Sequence, residues 1–151
     1  MYIVIMGGGR VGLSLADRLI IHGYDVTIIE SNDDLCDQAS EELDAMVICG
    51  SGTDTKTLEE ANIEEADVFV ATTGNDESNL VTSLFAWSCG VRRIITKVSS
   101  ISYTSMLHNV KIDSTVSPYS IILSSAIVFL ISFSISSFVF LSFSLTFSII
   151  S

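Results

Sequence analysis

The chain has 151 residues, with 18 acidic against 7 basic side chains, a formal net charge of -11 and a sequence pI near 4.2. That length suits one domain, and that charge leaves no broad cationic face for a phosphate backbone, so nucleic acid is excluded as a partner. Every charged residue lies between Arg10 and Asp113, so an acidic segment is followed by an uncharged one.

Residues 2–6 are a short run of large apolar side chains, the pattern of a strand covered on both faces. The run is shorter than an export segment and has no basic leader, so no signal peptide is expected. Gly7, Gly8 and Gly9 end it. From Arg10, the apolar positions Val11, Leu15, Leu19 and Ile20 recur at helical spacing, and Gly23 stands where a helix C′ residue belongs. Residues 26–29 resume a strand that ends at Glu30. A helix over 33–43 opens on acids, a strand covers 46–49, and Thr53 or Asp54 caps a short helix through Ala61.

The alternation continues with a strand over 68–72, a turn Thr73-Gly74-Asn75-Asp76, and a helix over 77–89 that Gly90 ends. A fifth strand covers 94–98, with Arg92 and Arg93 ahead of it. A short helix over 102–108 and a brief strand over 115–117, stopped by Pro118, complete the series. Strands alternating with helices of this size predict an α/β fold: a doubly wound, Rossmann-like parallel sheet of about six strands, with right-handed crossovers. The domain is expected over residues 1–118.

Cys36, Cys49 and Cys89 are odd in number and widely spaced, which predicts neither a disulfide framework nor a zinc set and points to a reducing, cytosolic setting. His22 and His108 have no partner at ligand spacing, so no metal site is expected.

Gly7-Gly8-Gly9-Arg10-Val11-Gly12 fits G-x-G-x-x-G, directly after a buried strand and opening a helix, with Glu30 closing the second strand of the same βαβ unit. Gly7 permits the tight turn, Gly9 lets backbone approach a pyrophosphate, and Gly12 lets the helix pack close to the strand. The helix N-terminus then offers amides to phosphate. Glu30 can accept both hydroxyls of an adenosine ribose. The following Ser31-Asn32-Asp33-Asp34 supplies no arginine for a 2′-phosphate, so NAD(H) is expected first, with ATP or ADP as the alternative and NADP disfavoured.

In a doubly wound sheet the ligand lies over the carboxyl ends of the strands, which directs the loops at 50–54, 73–76 and 97–99 to one crevice. Thr53 and Asp54 are candidates for the adenine side, Thr73 and Gly74 for ribose or phosphates, and Lys97 for phosphate charge. Thr53, Asp54 and Asp76 are equally good helix caps.

The opening Met1-Tyr2-Ile3-Val4-Ile5-Met6 with its glycine turn, Glu30, Gly52-Thr53-Asp54 and the stretch Ala71-Thr72-Thr73-Gly74-Asn75-Asp76-Glu77-Ser78-Asn79 together resemble the N-terminal nucleotide-binding half of the RCK or KTN domain (TrkA-N), in particular that of Trk-type potassium-uptake regulators. The resemblance covers residues 1–118. It implies a regulatory, non-catalytic nucleotide sensor, cytoplasmic and peripheral on the inner face of the membrane. Its partner would be a potassium transporter or channel subunit, and it would assemble as a homodimer or higher oligomer once the family's C-terminal part is supplied. Carried over by position, the family's contacts fall on residues 7–11, Glu30, Thr73, Gly74 and Lys97, where relatives often have arginine.

Past Ser117-Pro118 the family pattern gives way to an uncharged, Ser- and Phe-rich tail over 119–151. Its length fits a membrane-inserted helix, its alternating Ser and Phe fit a β or disordered tail, and its thymine-rich codon set fits a shifted reading frame. The rival function is an NAD-dependent oxidoreductase fragment, which requires a proton-transfer residue in a substrate region. No His, Lys, Asp, Glu or Cys follows residue 118, and Tyr103 has no Lys four residues on, so no catalytic residue is expected.

Overall fold

A computed structural model of the chain describes residues 1–100 and 114–116. The helix expected over 102–108 and the tail over 119–151 lie outside the described residues. The elements are β1 (Tyr2–Met6), α1 (Arg10–Ile21), β2 (Asp25–Glu30), α2 (Asp33–Glu42), β3 (Met46–Cys49), α3 (Thr55–Glu60), a 3-10 turn (Ile63–Glu65), β4 (Val68–Ala71), α4 (Asp76–Ser88), β5 (Arg93–Lys97) and β6 (Ser114–Val116).

Among the described residues the strands form one six-stranded sheet in the order β3-β2-β1-β4-β5-β6. Every neighbouring pair is parallel. This is the doubly wound order, in which the chain runs outward from β1 to β3 and then crosses to β4 on the other side. The reversal leaves a crevice at the carboxyl ends of β1 and β4.

Successive side chains of β1 serve both faces of the sheet. Val4 and Met6 join a cluster with Leu58, Ala61, Ile63, Phe69, Ala86 and Ile94, under α3, the 3-10 turn and α4. Ile3 and Ile5 point the other way and are also fully buried, on the face where α1 contributes Leu15, Ala16 and Leu19. Burying each large apolar side chain of this kind stabilises the fold by roughly 1.5–3 kcal/mol, which is why the short apolar strands need no polar face.

The structure departs from expectation at several points, and many strand and helix ends shift by one residue. β5 begins at Arg93, one residue early, because Arg93 pairs in register with Val68. The 3-10 turn follows from Asn62, whose φ of 46° is left-handed and redirects the chain after α3. The expectation that no cysteines pair is corrected, since Cys36 and Cys49 are joined in a disulfide with Cα atoms 5.9 Å apart. Cys36 lies in the first turn of α2 and Cys49 at the end of β3. A helix folding back along its own sheet brings those two positions together whatever their spacing in the chain.

Candidate functional site

The glycine turn is built on two close approaches. Gly7 has φ of 110°, and a Cβ there would sit 2.9 Å from the Thr73 amide nitrogen. Gly12 is buried, and a Cβ on it would overlap the Gly7 carbonyl oxygen, so α1 crosses the end of β1 only because residue 12 has no side chain. Gly9 differs from both. A Cβ added there meets no heavy atom within 4 Å among the described residues, so nothing in them requires a glycine at that position.

The start of α1 is unlike that of the other α-helices among the described residues. Asn32, Asp54 and Asn75 cap α2, α3 and α4 by accepting amides of Leu35, Lys56 and Ser78. Gly9 caps α1 with no side-chain bond, and the first turn carries no acid. The first intrahelical bond runs from the Leu13 amide to the Gly9 carbonyl, so the Arg10, Val11 and Gly12 amides have no carbonyl of their own helix to meet. Partial positive charge collects there. Arg10 and Val11 are themselves exposed on this turn.

Glu30 ends β2 beside that turn. Its Oε2 accepts the Gly8 amide at 2.6 Å, and its Oε1 accepts the Ser31 and Asn32 amides at 2.7 and 2.9 Å. The carboxylate therefore holds the glycine turn and the β2–α2 connection together while remaining half-buried at the crevice.

Across the crevice, the β4–α4 turn is clamped by Asn79, which is fully buried. Asn79 Oδ1 accepts the Thr73 amide at 3.1 Å and the Thr73 hydroxyl at 2.6 Å. Its amide group donates to the carbonyls of Thr73 at 3.1 Å and Lys97 at 3.0 Å. Lys97 Nζ donates to the Thr73 carbonyl at 3.1 Å, so this ammonium braces the back of the turn. Asp76 accepts the Ser99 and Ser100 amides.

Between these parts lies an open cavity of about 370 Å³. It brings together Gly7, Glu30, Thr53, Thr73 and Gly74 of the expected set, with Met6, Ile29 and Gly52 as its floor and wall. Gly8, Gly9, Arg10, Val11 and Gly12 form the adjoining turn and helix start without lining it, and Lys97 stands behind Thr73. Asp54 is at the helix cap just past Thr53, with its carboxylate on the Lys56 amide. Ser31, Gly50, Ser51, Asn75 and Ser78 also line the cavity. Gly50, Ser51 and Asn75 lie in loops expected to face the crevice, whereas Ser31 follows β2 and Ser78 belongs to α4; none of the five is among the expected contacts. Asn79 sits within a motif stretch, yet only its burial and four bonds reveal a role. No group of three or more His, Cys, Asp or Glu side chains that could hold a metal occurs among the described residues.

The sheet order and the crevice at its reversal define a Rossmann-class α/β domain. Residues 3–118 match the TrkA-N domain family, and the chain belongs to that family. One relative, the Trk system potassium uptake protein TrkA homolog of Methanothermobacter thermautotrophicus, is 56% identical over 118 residues, covering 78% of this chain and 55% of the relative. The chain thus spans about half the length of that relative, and 25% of the TrkA of Halomonas elongata, which is 39% identical over 117 residues. Among solved structures, GsuK bound to ADP is 25% identical with a TM-score of 0.66, covering 77% of this chain and 30% of that one.

Proposed function

We propose that this chain is the nucleotide-sensing part of a regulatory subunit of a Trk- or Ktr-type potassium uptake system. The ligand would be NAD(H) first, with ATP or ADP as the alternative, held by the domain of residues 1–118. The observation that carries the reading is the junction of an uncapped helix start with Glu30 on one side of a single crevice. The α1 amides would take the phosphates and Gly9 would admit them closely. Glu30 Oε2 holds only the Gly8 amide and would offer its remaining lone pair to a ribose hydroxyl, and Thr53, Thr73 and Gly74 would line the rest. A 2′-phosphate beside the Glu30 carboxylate is disfavoured by charge. Lys97 would act by holding the Thr73 turn in place.

The sensor reading fits relatives that bear potassium-uptake names and a GsuK structure that holds ADP. In such a sensor the nucleotide supplies differential affinity for two arrangements of neighbouring domains, and that difference sets transport. No helix among the described residues is long and apolar enough to cross a membrane. Contact with the transporter would be peripheral, from the cytoplasmic side, as the family resemblance implies. α4 presents Val81, Leu84 and Trp87 at 60%, 42% and 48% exposure on one face, which supports association with a second copy.

The test is ion flux through a purified Trk- or Ktr-type transporter in vesicles, with this chain added, in the presence and absence of NADH or ADP. Nucleotide-dependent flux is expected. Flux indifferent to both nucleotides would contradict the reading, and turnover of an alcohol or aldehyde with NAD would favour the oxidoreductase instead.

A further inference from the structure

Cys36 and Cys49 lie directly against the main chain of Glu30. Glu30 pairs with Cys49 in the β2–β3 register. The Glu30 carbonyl accepts the Gly50 amide at 2.7 Å and lies 3.3 Å from Cys36 Sγ. The two cysteines differ in access, since Cys36 is 1% exposed while Cys49 stands exposed at the end of the edge strand β3. The third cysteine, Cys89, lies apart at the end of α4, where burial pushes its thiol up and keeps it protonated.

We propose that Cys36 and Cys49 are a reversible thiol–disulfide exchange site for low-molecular-weight disulfides, and that its state sets how firmly the β2–α2 connection carrying Glu30 is held. The Cα separation of 5.9 Å lies in the range a disulfide spans. The exposed Cys49 thiolate attacks one sulfur of a disulfide RSSR, forming a mixed disulfide and releasing RS⁻, which takes up the Cys49 proton. The Cys36 thiolate then attacks Cys49 Sγ and expels the second RS⁻, which takes up the Cys36 proton. Two protein thiols are oxidised and one RSSR is reduced to two RSH.

In the dithiol form, Cys36 S–H can donate to the Glu30 carbonyl, a weak bond. In the disulfide form, the first turn of α2 is tied covalently to β3. Ser31 and Asn32, whose amides the Glu30 carboxylate accepts, lie on the short connection that this tie restrains. Oxidation therefore pre-organises the Glu30 side of the crevice. The exchange chemistry stands by itself, and only its consequence for ligand rests on the nucleotide reading.

The full chain is incubated without nucleotide in reduced or oxidised glutathione. Intact mass, denatured thiol count and amide exchange at Ser31 and Asn32 are then measured. Three free thiols are expected in the reduced form. In the oxidised form one is expected, with a mass lower by two hydrogens. The Ser31 and Asn32 amides should exchange at least about fivefold more slowly in the oxidised form. Cys49→Ser, at an exposed position, should show no such difference between the two buffers. A stable glutathione adduct without an internal bond, three thiols in both buffers, or equal exchange rates would overturn the proposal. None of these readouts needs a bound nucleotide, so failure of the nucleotide reading would be seen separately.

Discussion

The Gly8 amide and the Glu30 carboxylate are joined by a 2.6 Å hydrogen bond on one side of the crevice. The glycine turn and the acid at the end of β2 are thus one unit. Because Oε1 accepts the Ser31 and Asn32 amides at the same time, both oxygens face donors. A carboxylate suits that arrangement and a carboxamide does not, since its NH₂ must point at one set of N–H groups.

Glu30→Gln is therefore expected to destabilise the domain by about 1–2 kcal/mol, even without nucleotide. Urea denaturation checks this through the midpoint at unchanged slope. A wild-type midpoint would mean that the hydrogen bonds of Glu30 carry no net stability.

Gly9 and Gly12 separate ligand from fold. Gly12→Ala places a Cβ on the Gly7 carbonyl and should cost about 1–3 kcal/mol of stability or more. Gly9→Ala meets nothing and its φ of -73° suits alanine, so stability should stay within about 0.5 kcal/mol. Its nucleotide affinity should nevertheless fall about tenfold or more if, as proposed, a phosphate occupies that space. Unchanged affinity in a folded Gly9→Ala protein would remove the phosphate from that turn.

Asn79→Asp exchanges the two bonds donated by Nδ2 for one oxygen facing both the Thr73 and Lys97 carbonyls. In a fully buried position this should cost about 2–4 kcal/mol and loosen the Thr73 turn. Denaturation and amide protection at Thr73 would report it, and a wild-type profile in both would rule out the clamp.

Tyr2 gives the fold an alkaline limit. Burial lifts its phenol above the ordinary 10.0, the Thr27 hydroxyl draws it back in part, and Glu65 adds to the rise. Below pH 10.0 the phenol is neutral whether the chain is folded or not, and its contribution is complete. Above that the unfolded chain loses the proton first, so stability falls as pH rises. Tyr2→Phe removes the bonds to Thr27 and the Ala61 carbonyl and should cost about 1 kcal/mol at neutral pH, while flattening the alkaline decline. An alkaline slope equal to wild type would assign the decline to other groups.

Much of this arrangement was legible in the sequence where the signal is periodic or steric. The apolar runs gave β1 to β4 within a residue or so, and the glycine turn with Glu30 located the crevice. What escaped depends on contacts between distant segments. Arg93 belongs to β5 because Val68 lies opposite it, not because of its own character. Cys36 and Cys49 meet because α2 returns along β3. Lys97 reads as a phosphate partner by charge, yet its ammonium is directed to the Thr73 carbonyl by the fold of the turn. Asn79 could be placed in a helix but not in a clamp, since its four bonds go to the Thr73 turn and the end of β5.

Calorimetric titration of the full chain with NADH, NADPH, ATP and ADP, repeated on Glu30→Arg, tests most directly whether Glu30 and the α1 start form a nucleotide site. Saturable binding of NADH or an adenine nucleotide is expected, with NADPH weaker in the wild type and the NADH preference reduced by about tenfold or more in Glu30→Arg. Absence of binding for all four ligands, or an unchanged preference in a folded Glu30→Arg protein, would contradict it.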